Sequence, residues 1–418
     1  MPPIEDLLRG EFERVADTVQ PGQLRPLRMP VPGRRWHRRL LPVAAAAAVI
    51  AVAVAAVLVA GPKPVPPEAP GSAAIPRYYL TFTVVTDQQV NLPVTKAVIR
   101  DSATGQITGK VKIPSDYFPP SVTVAAAPDD RSFIIGASEV GPKDPRAPRF
   151  DSYYEEYRFF RLPISADGKP GHLTELPAYP VPMNASVTGI ALSPDGTLLA
   201  VSSLYGLGRQ NGHSPSDVGE VEVINLVTGT ARIWTAAMQQ GHYYEPGPPS
   251  WADGNRMIAF TWQRAQSLTN DTMTMEGVRL LDTEASGDNL ADSRTVMSPK
   301  AVSGNIQSVL ITPDERDVLV ATSRDVPSGG NRGGTVIAQI AEVPAAGRGP
   351  VRVLRTVTAR YTHITQYELD DTSQVLSLDP TGRYALVQGF QFGWLDLGLG
   401  RFTPLPPYSS QVPVYGVW

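Results

Sequence analysis

The chain has 418 residues, no cysteine and a formal net charge of −3 at pH 7. The absence of cysteine excludes disulfides, thiolate catalysis, cysteine-ligated zinc and a lipid-modified cysteine anchor. The slightly acidic balance argues against a general nucleic-acid-binding protein, so no nucleic-acid partner is expected. The 41 prolines and 36 glycines favour many short turns, and helix-period stretches are scarce after residue 60.

Residues 4–19 show the apolar spacing of a short amphipathic helix, with Glu5 and Asp6 in its first turn. A helix of about four turns is marginally stable alone, so it needs a surface on which to dock. Two interpretations stay open: the helix rests on a bilayer, or it binds a cytoplasmic partner. It belongs to a first segment, residues 1–39, which ends in a cluster of arginines.

Residues 40–60 form an uncharged run rich in alanine and valine. A helix of this length spans about 31 Å, which matches the hydrocarbon thickness of a bilayer. Four arginines stand directly before the run: Arg34, Arg35, Arg38 and Arg39. The positive-inside rule therefore places the N-terminus in the cytoplasm and the rest of the chain outside. We predict a retained signal-anchor in a bacterial cell membrane, with a cleaved signal peptide as the alternative.

A proline-rich linker, residues 61–76, is expected to hold the remainder off the membrane. Residues 77–418 then repeat a unit of two strand pairs, each pair closed by a tight turn. In the clearest copy, Pro194 presets φ, Asp195 follows, and Gly196 supplies a positive φ. The second turn of that copy closes at Gly229.

Both turns recur along the chain with a spacing of about 60 residues. Copies of the first turn lie at Pro128, Gly254, Pro313 and Gly382, with Asp129, Asp195, Asp253, Asp314 and Thr381 as equivalent positions. Two interleaved turn series with one period indicate a repeated four-stranded unit, which is typical of a β-propeller. Asp130 and Glu315 replace glycine in two copies, and we expect those turns to be looser.

The second turn occurs six times but the first turn only five times. Residues 78–86 match the second strand of a unit, and the strand that should precede them is missing. Residues 412–418 match a first strand with nothing after it. We therefore predict an all-β fold of six blades, closed by the C-terminal strand, with Tyr415 and Trp418, in the N-terminal blade.

No combination of residues indicates catalysis. The five histidines form neither an HExxH motif nor a convincing metal spacing, and no GxSxG elbow is present. We therefore assign no catalytic, metal or cofactor-binding residue and expect a protein that is not an enzyme. The alternative is a divalent cation bound near the channel, for which Glu368, Asp370 and Asp371 are the candidates.

Ligand binding is expected at loops that depart from the repeat. Four long loops qualify: residues 139–151, 204–219, 238–249 and 323–334. The third contains His242, Tyr243, Tyr244 and Glu245. These side chains either pack on a neighbouring blade or contact a metal or a sugar at the rim of the ring.

The SPDGTLLAV and INLVTGT units resemble those of TolB-type and WD-repeat-like propellers, and this resemblance covers residues 77–418. The N-terminal part is similar to that of actinobacterial single-pass membrane proteins, some of which have an anti-sigma-factor-like organisation. Fold and resemblance together imply a membrane-anchored binding or scaffolding module for a protein or envelope ligand. Two alternatives stay open: a metal-dependent propeller hydrolase or lyase, and a transmembrane regulator in which residues 4–19 engage a cytoplasmic factor.

Overall fold

The computed structural model describes residues 75–405 and 414–417, with internal gaps at 88–91, 114–116, 141–154, 177–184, 206–217, 237–241, 268–269, 328–332, 346, 348 and 362–372. The predicted N-terminal helix, the arginine cluster and the predicted membrane span lie outside the described residues. So do Trp418 and the acidic residues between 368 and 371. Within the described part, no helix is long and apolar enough to cross a membrane.

The regular secondary structure of the described residues is almost entirely β-strand. In chain order the strands are β1 (Tyr78–Asp87), β2 (Leu92–Asp101), β3 (Ile107–Val111), β4 (Tyr117–Ala126), β5 (Ser132–Val140), β6 (Glu155–Pro163), β7 (Thr174–Glu175), β8 (Ala185–Leu192), β9 (Leu198–Tyr205), β10 (Val218–Asn225), β11 (Ala231–Ala236), β12 (Tyr243–Pro246), β13 (Ser250–Ala252), β14 (Met257–Ser267), β15 (Asn270–Asp282), β16 (Arg294–Met297), β17 (Asn305–Ile311), β18 (Asp317–Pro327), β19 (Gly334–Pro344), β20 (Arg352–Tyr361), β21 (Ser373–Leu378), β22 (Tyr384–Gly389), β23 (Gly393–Asp396), β24 (Arg401–Pro404) and β25 (Val414–Val417). Two short 3-10 helices, Leu290–Asp292 and Pro299–Ala301, flank β16.

These strands form six antiparallel sheets, which we number as blades from the N-terminus. Blade 1 has the order β25-β1-β2-β3, blade 2 β4-β5-β6-β7 and blade 3 β8-β9-β10-β11. Blade 4 has the order β12-β14-β15-β16, with β13 also paired to β14, because its innermost strand is interrupted. Blades 5 and 6 run from β17 to β20 and from β21 to β24.

The innermost strands contact one another in a closed cycle: β25, β4, β8, β13, β17, β21 and again β25. This arrangement is a six-bladed β-propeller around a central channel, and it confirms the predicted fold class. Strand β25 pairs antiparallel with β1, with Val417 opposite Leu80 and Tyr415 opposite Phe82. The C-terminal strand therefore closes the ring in the N-terminal blade, as the unequal turn counts predict.

The hydrophobic core lies between neighbouring blades, because each sheet is covered on both faces. Strand β9 shows the consequence: its consecutive residues Leu199, Ala200 and Val201 are all fully buried. Leu199 and Val201 pack in a cluster shared with blade 2, whereas Ala200 packs in a cluster shared with blade 4. Strands that are buried on both faces lose the polar alternation of a one-sided sheet, which explains the continuous apolar runs in the sequence.

The first turns close as predicted, with one correction. Gly196 and Gly382 have φ of 73° and 70°, and Gly229 and Gly254 are also in the positive region. Glu315 adopts the same conformation at φ 59°, and its N–H donates to the Thr312 carbonyl at 2.9 Å. The prediction of a looser turn is therefore wrong for Glu315, whereas the Asp130 N–H donates to the Ala127 carbonyl at 3.1 Å, compared with 2.8 Å for the corresponding bond of Gly196. Turn hydrogen bonds outweigh the cost of a left-handed residue, about 1–2 kcal/mol.

The first turn of blade 6 keeps the side-chain hydrogen bond of the first turns in blades 3 and 5, with its partners exchanged. In blade 3 the Ser193 hydroxyl donates to the Asp195 carboxylate at 2.7 Å. In blade 6 the carboxylate belongs to Asp379, at the position of the serine, and the Thr381 hydroxyl donates to it. Thr381 therefore occupies the same position in its turn as Asp195, but it donates the side-chain hydrogen bond that Asp195 accepts.

Candidate functional site

A cavity of about 290 Å³ opens where the first turns of the blades surround one end of the channel. We call this end the channel mouth. Strand ends from all six blades line it, and most of their lining side chains are alanine, valine, leucine or isoleucine. Six prolines also line the cavity, and we refer to them as the proline rim: Pro76, Pro128, Pro194, Pro249, Pro313 and Pro380.

The proline rim is held by contacts between turns of neighbouring blades. The Asp253 N–H donates to the Pro313 carbonyl at 3.1 Å, and the Arg77 N–H donates to the Asp130 carboxylate at 2.9 Å. A Cβ atom on Gly382 would lie only 2.6 Å from the Pro313 ring, so the turn of blade 6 packs tightly on that of blade 5. The channel mouth is therefore preorganised.

Most polar groups at the channel mouth are already engaged within the protein. The Asp379 carboxylate accepts hydrogen bonds from the N–H groups of Thr381 and Tyr384. The Ser193 hydroxyl donates to Asp195. Burial raises the pKa of Asp130 to about 6. The hydrogen bond from the Arg77 N–H acts in the opposite direction but is the smaller effect. No lysine, arginine or histidine is among the described residues that line the cavity.

Among the residues that the structure describes, no three histidine, aspartate or glutamate side chains lie close enough together to hold a metal ion. The candidates Glu368, Asp370 and Asp371 fall in an undescribed gap, so the proposal of a cation near them is untested.

The predicted binding-loop residues are in a strand rather than in a loop. Tyr243, Tyr244 and Glu245 belong to β12, which pairs with β14. Tyr244 stacks on Trp262 with ring centroids 4.9 Å apart, and burial raises the pKa of Glu245. The imidazole Nδ1 of His242 is buried and has no hydrogen-bond partner in the part of the chain that the structure describes. The departure of this segment from the repeat predicted a loop, but the strand is interrupted only between β12 and β13.

Tyr243, Tyr244 and Glu245 lie at the end of blade 4 opposite to the channel mouth, since the chain runs from β12 through β13 before it reaches the first turn. Three of the predicted long loops, residues 139–151, 204–219 and 323–334, connect the second and third strands of their blades. Antiparallel pairing places those strand ends opposite the channel mouth. Strand β18 also extends to Pro327, so the loop predicted from residue 323 begins later.

Sequence reasoning did not identify the channel mouth as a site. A signal for it was present, because proline precedes the turn acid or its equivalent in four first-turn copies: Pro128, Pro194, Pro313 and Pro380. We had interpreted these prolines as turn formers only. Because the six units surround one channel, equivalent positions of the units lie around the same opening. A residue type that recurs at one position of the unit therefore forms a ring around that opening.

No protein family profile matches this sequence, and no curated protein matches it at a significant level. Solved structures that resemble it include hydrazine synthase of Kuenenia stuttgartiensis, at 15% identity and a TM-score of 0.37 over 72% of this chain and 70% of that one. Acylaminoacyl peptidase of Pyrococcus horikoshii matches at 9% identity and a TM-score of 0.40, over 79% of this chain and 51% of that one. Prolyl oligopeptidase B of Galerina marginata matches at 12% identity and a TM-score of 0.38, over 81% and 52%.

Proposed function

We propose that this protein is a binding module whose propeller holds an apolar segment of a protein or cell-envelope ligand in the channel mouth. The observation that carries the proposal is the preorganised cavity of about 290 Å³ within the proline rim. Concave, largely apolar and preformed sites with few free polar groups are the usual form of ligand sites in proteins. A rigid rim also lowers the entropy lost when a ligand binds.

The charges at the channel mouth restrict the chemistry of the ligand. The described lining offers no cation for a phosphate or a carboxylate, whereas Asp130 offers a carboxylate beside apolar surface. An apolar ligand that carries a hydrogen-bond donor or a positive charge at one end matches this arrangement. A strongly anionic ligand does not.

The proposal includes a tether to a bacterial membrane. Residues 40–60 would cross the bilayer with the arginine cluster on the cytoplasmic side, and the propeller would lie outside. A membrane-anchored ring with an open mouth suits capture of an envelope component or of the exported part of another protein. Residues 4–19 would be free to contact a cytoplasmic partner.

Single-cysteine variants test the proposal, because the chain has no natural cysteine. Pro194→Cys places a thiol on the proline rim. Val227→Cys is the matched control, since Val227 is 75% exposed in the second turn of the same blade. That turn lies at the same end of the ring, where the Leu226 N–H donates to the Thr197 carbonyl of the first turn. Each full-length variant is labelled with a membrane-impermeant maleimide, in intact cells and after purification.

In intact cells, V227C should be labelled quickly and P194C at least about tenfold more slowly, because a bound ligand covers the channel mouth. Purification without the ligand should bring the two labelling rates together. An unchanged ratio of rates in cells and after purification would contradict ligand binding at the channel mouth. A third variant, Gln23→Cys, should react only after lysis; labelling of this variant in intact cells would refute the proposed membrane topology separately.

A further inference from the structure

A second feature lies between blades 5 and 6, away from the channel mouth. Arg355 stands on β20, the outermost strand of blade 5, and its guanidinium carbon is 3.2 Å from the centroid of the Phe402 ring on blade 6. Its Nη2 donates to the Gln391 Oε1 at 3.0 Å. The aromatic ring and the amide together fix the orientation of the guanidinium in the groove between the two blades.

Arg355 forms no ion pair with a described residue, although it is partly buried. Burial lowers its pKa, and no carboxylate among the described residues opposes this effect. Arg352 on the same strand is different, because it pairs with Glu342. A partly buried guanidinium without a counter-charge is unfavourable, so an acid from elsewhere would gain a strong interaction here.

The groove also contains two buried polar atoms that have no hydrogen-bond partner among the described residues, the Nη1 of Arg355 and the Oε1 of Gln388. Both residues line a cavity of about 20 Å³. A cavity of this size holds about one water molecule or one oxygen atom of a larger ligand. The site thus offers a donor, the Nη1 of Arg355, to an inserted oxygen atom, and an acceptor, the Oε1 of Gln388, to an N–H group of the same segment.

Exposed apolar side chains surround the groove. Phe390 lines the small cavity and is 41% exposed, and Val353 on β20 is 50% exposed. Leu399 is 72% exposed in the last turn of blade 6, next to Gly400, whose Cβ position is 3.6 Å from the Leu354 carbonyl of β20. Apolar surface of this kind beside an unpaired cation is typical of an interaction site.

Strand β20 adds an open backbone edge. It is the last strand in its sheet and has 10 residues, whereas the outermost strands of the other blades, as far as the structure describes them, have 2 to 6. A long edge rich in β-branched residues can accept a further strand from a partner. The residues of β20 include three arginines and no acid.

We propose that the groove between blades 5 and 6 binds an extended segment of a partner protein in which a glutamate or aspartate is flanked by apolar side chains. The acid reaches Nη1 of Arg355, the apolar side chains cover Phe390 and Val353, and the backbone runs along β20. A free small anion satisfies the guanidinium but leaves the apolar surface exposed. The observations therefore favour a peptide segment.

The test compares two short labelled peptides, Ac-Thr-Val-Glu-Val-Thr-amide and its Gln analogue, by fluorescence anisotropy on the full-length chain. We expect the Glu peptide to bind at least about tenfold more tightly, because a charge-assisted hydrogen bond in a desolvated groove is lost in the analogue. Arg355→Gln should remove this preference. Arg161→Gln, an exposed arginine on blade 2, makes the same charge change and should preserve it.

Equal affinity for the two peptides, or an unchanged preference in R355Q, would overturn the proposal. Competition by acetate at the peptide's own concentration would overturn it as well, because it would indicate an adventitious anion only. Phe390→Ser provides a variant that does not depend on the folding of R355Q, since Phe390 is exposed; it should weaken the Glu peptide severalfold, and unchanged binding would count against the site. P194C should bind the peptide normally, which separates this groove from the channel mouth.

Discussion

Removal of residues 411–418 is expected to unfold or aggregate the propeller. Strand β25 forms the inner edge of blade 1, where four of its residues pair with β1 and Val417 is buried. Several strand hydrogen bonds are lost, each worth roughly 1 kcal/mol, together with about 1.5–3 kcal/mol for the burial of Val417. The sum is a large fraction of a typical stability of about 5–15 kcal/mol. The exposed edge of β1 also favours aggregation.

The measurement is thermal unfolding of the full chain and of residues 1–410. Val417→Asp in the full chain should reproduce most of the loss, while Leu399→Asp, at an exposed position, should leave the midpoint almost unchanged. If the full chain and residues 1–410 melt within about two degrees of each other, β25 does not stabilise the ring.

Glu222→Gln is expected to stabilise the propeller at pH 8 and to have little effect at pH 4. Glu222 lies on β10 with 4% of its surface exposed, and no described residue forms a hydrogen bond with its Oε1. It shares a strand face with Ile224, which packs between blades 2 and 3. Burial, with a smaller contribution from the charge of Glu220, raises the pKa of Glu222 to about 7 from a usual 4.5.

The direction of the pH effect on stability follows from the linkage between proton binding and folding. A raised pKa in the folded state favours the protonated carboxyl group, so the contribution of Glu222 to stability is greatest below pH 4.5. It falls as the pH rises toward 7 and then levels off. A shift of this size corresponds to about 3 kcal/mol above pH 7. Glutamine has nearly the same shape as glutamate but does not ionise, so E222Q does not lose stability as the pH rises from 4.5 to 7.

Urea unfolding of the wild-type chain and E222Q at pH 4 and pH 8 measures the effect. The expected difference in unfolding free energy is near zero at pH 4 and about 2–3 kcal/mol at pH 8. Glu284→Gln is the control, because the Glu284 side chain is 74% exposed. A stability difference that is the same at both pH values would show that Glu222 does not titrate as its surroundings imply.

The fold could be predicted from the sequence because local turn chemistry and a period survive in each unit. Gly196 and Gly229 mark turns by a backbone requirement that does not depend on the rest of the molecule. The unequal number of the two turns then led to the closure by β25. Glu315 and Thr381 are the exceptions, because Glu315 takes the positive φ that glycine has in other turns and Thr381 donates the side-chain hydrogen bond that Asp195 accepts.

The candidate sites could not be predicted in the same way, since they depend on contacts between units. Pro194 and Pro313 are far apart in the chain and share one opening only once six blades close. Arg355 and Gln388 meet across two blades, and neither residue stands in a recognisable motif. The segment of His242 departs from the repeat and was therefore predicted to be a loop, although residues 243–246 form a strand that pairs with β14.

Photo-crosslinking at the proline rim tests the central claim, that the channel mouth holds a ligand. A benzophenone amino acid replaces Pro194 in the full-length chain, and the same amino acid at Val227 is the control on the outer part of the same blade. Irradiation of intact cells should give one discrete adduct from position 194 and none of that mass from position 227. Equal adducts from both positions, or no adduct from position 194, would contradict a ligand in the channel mouth.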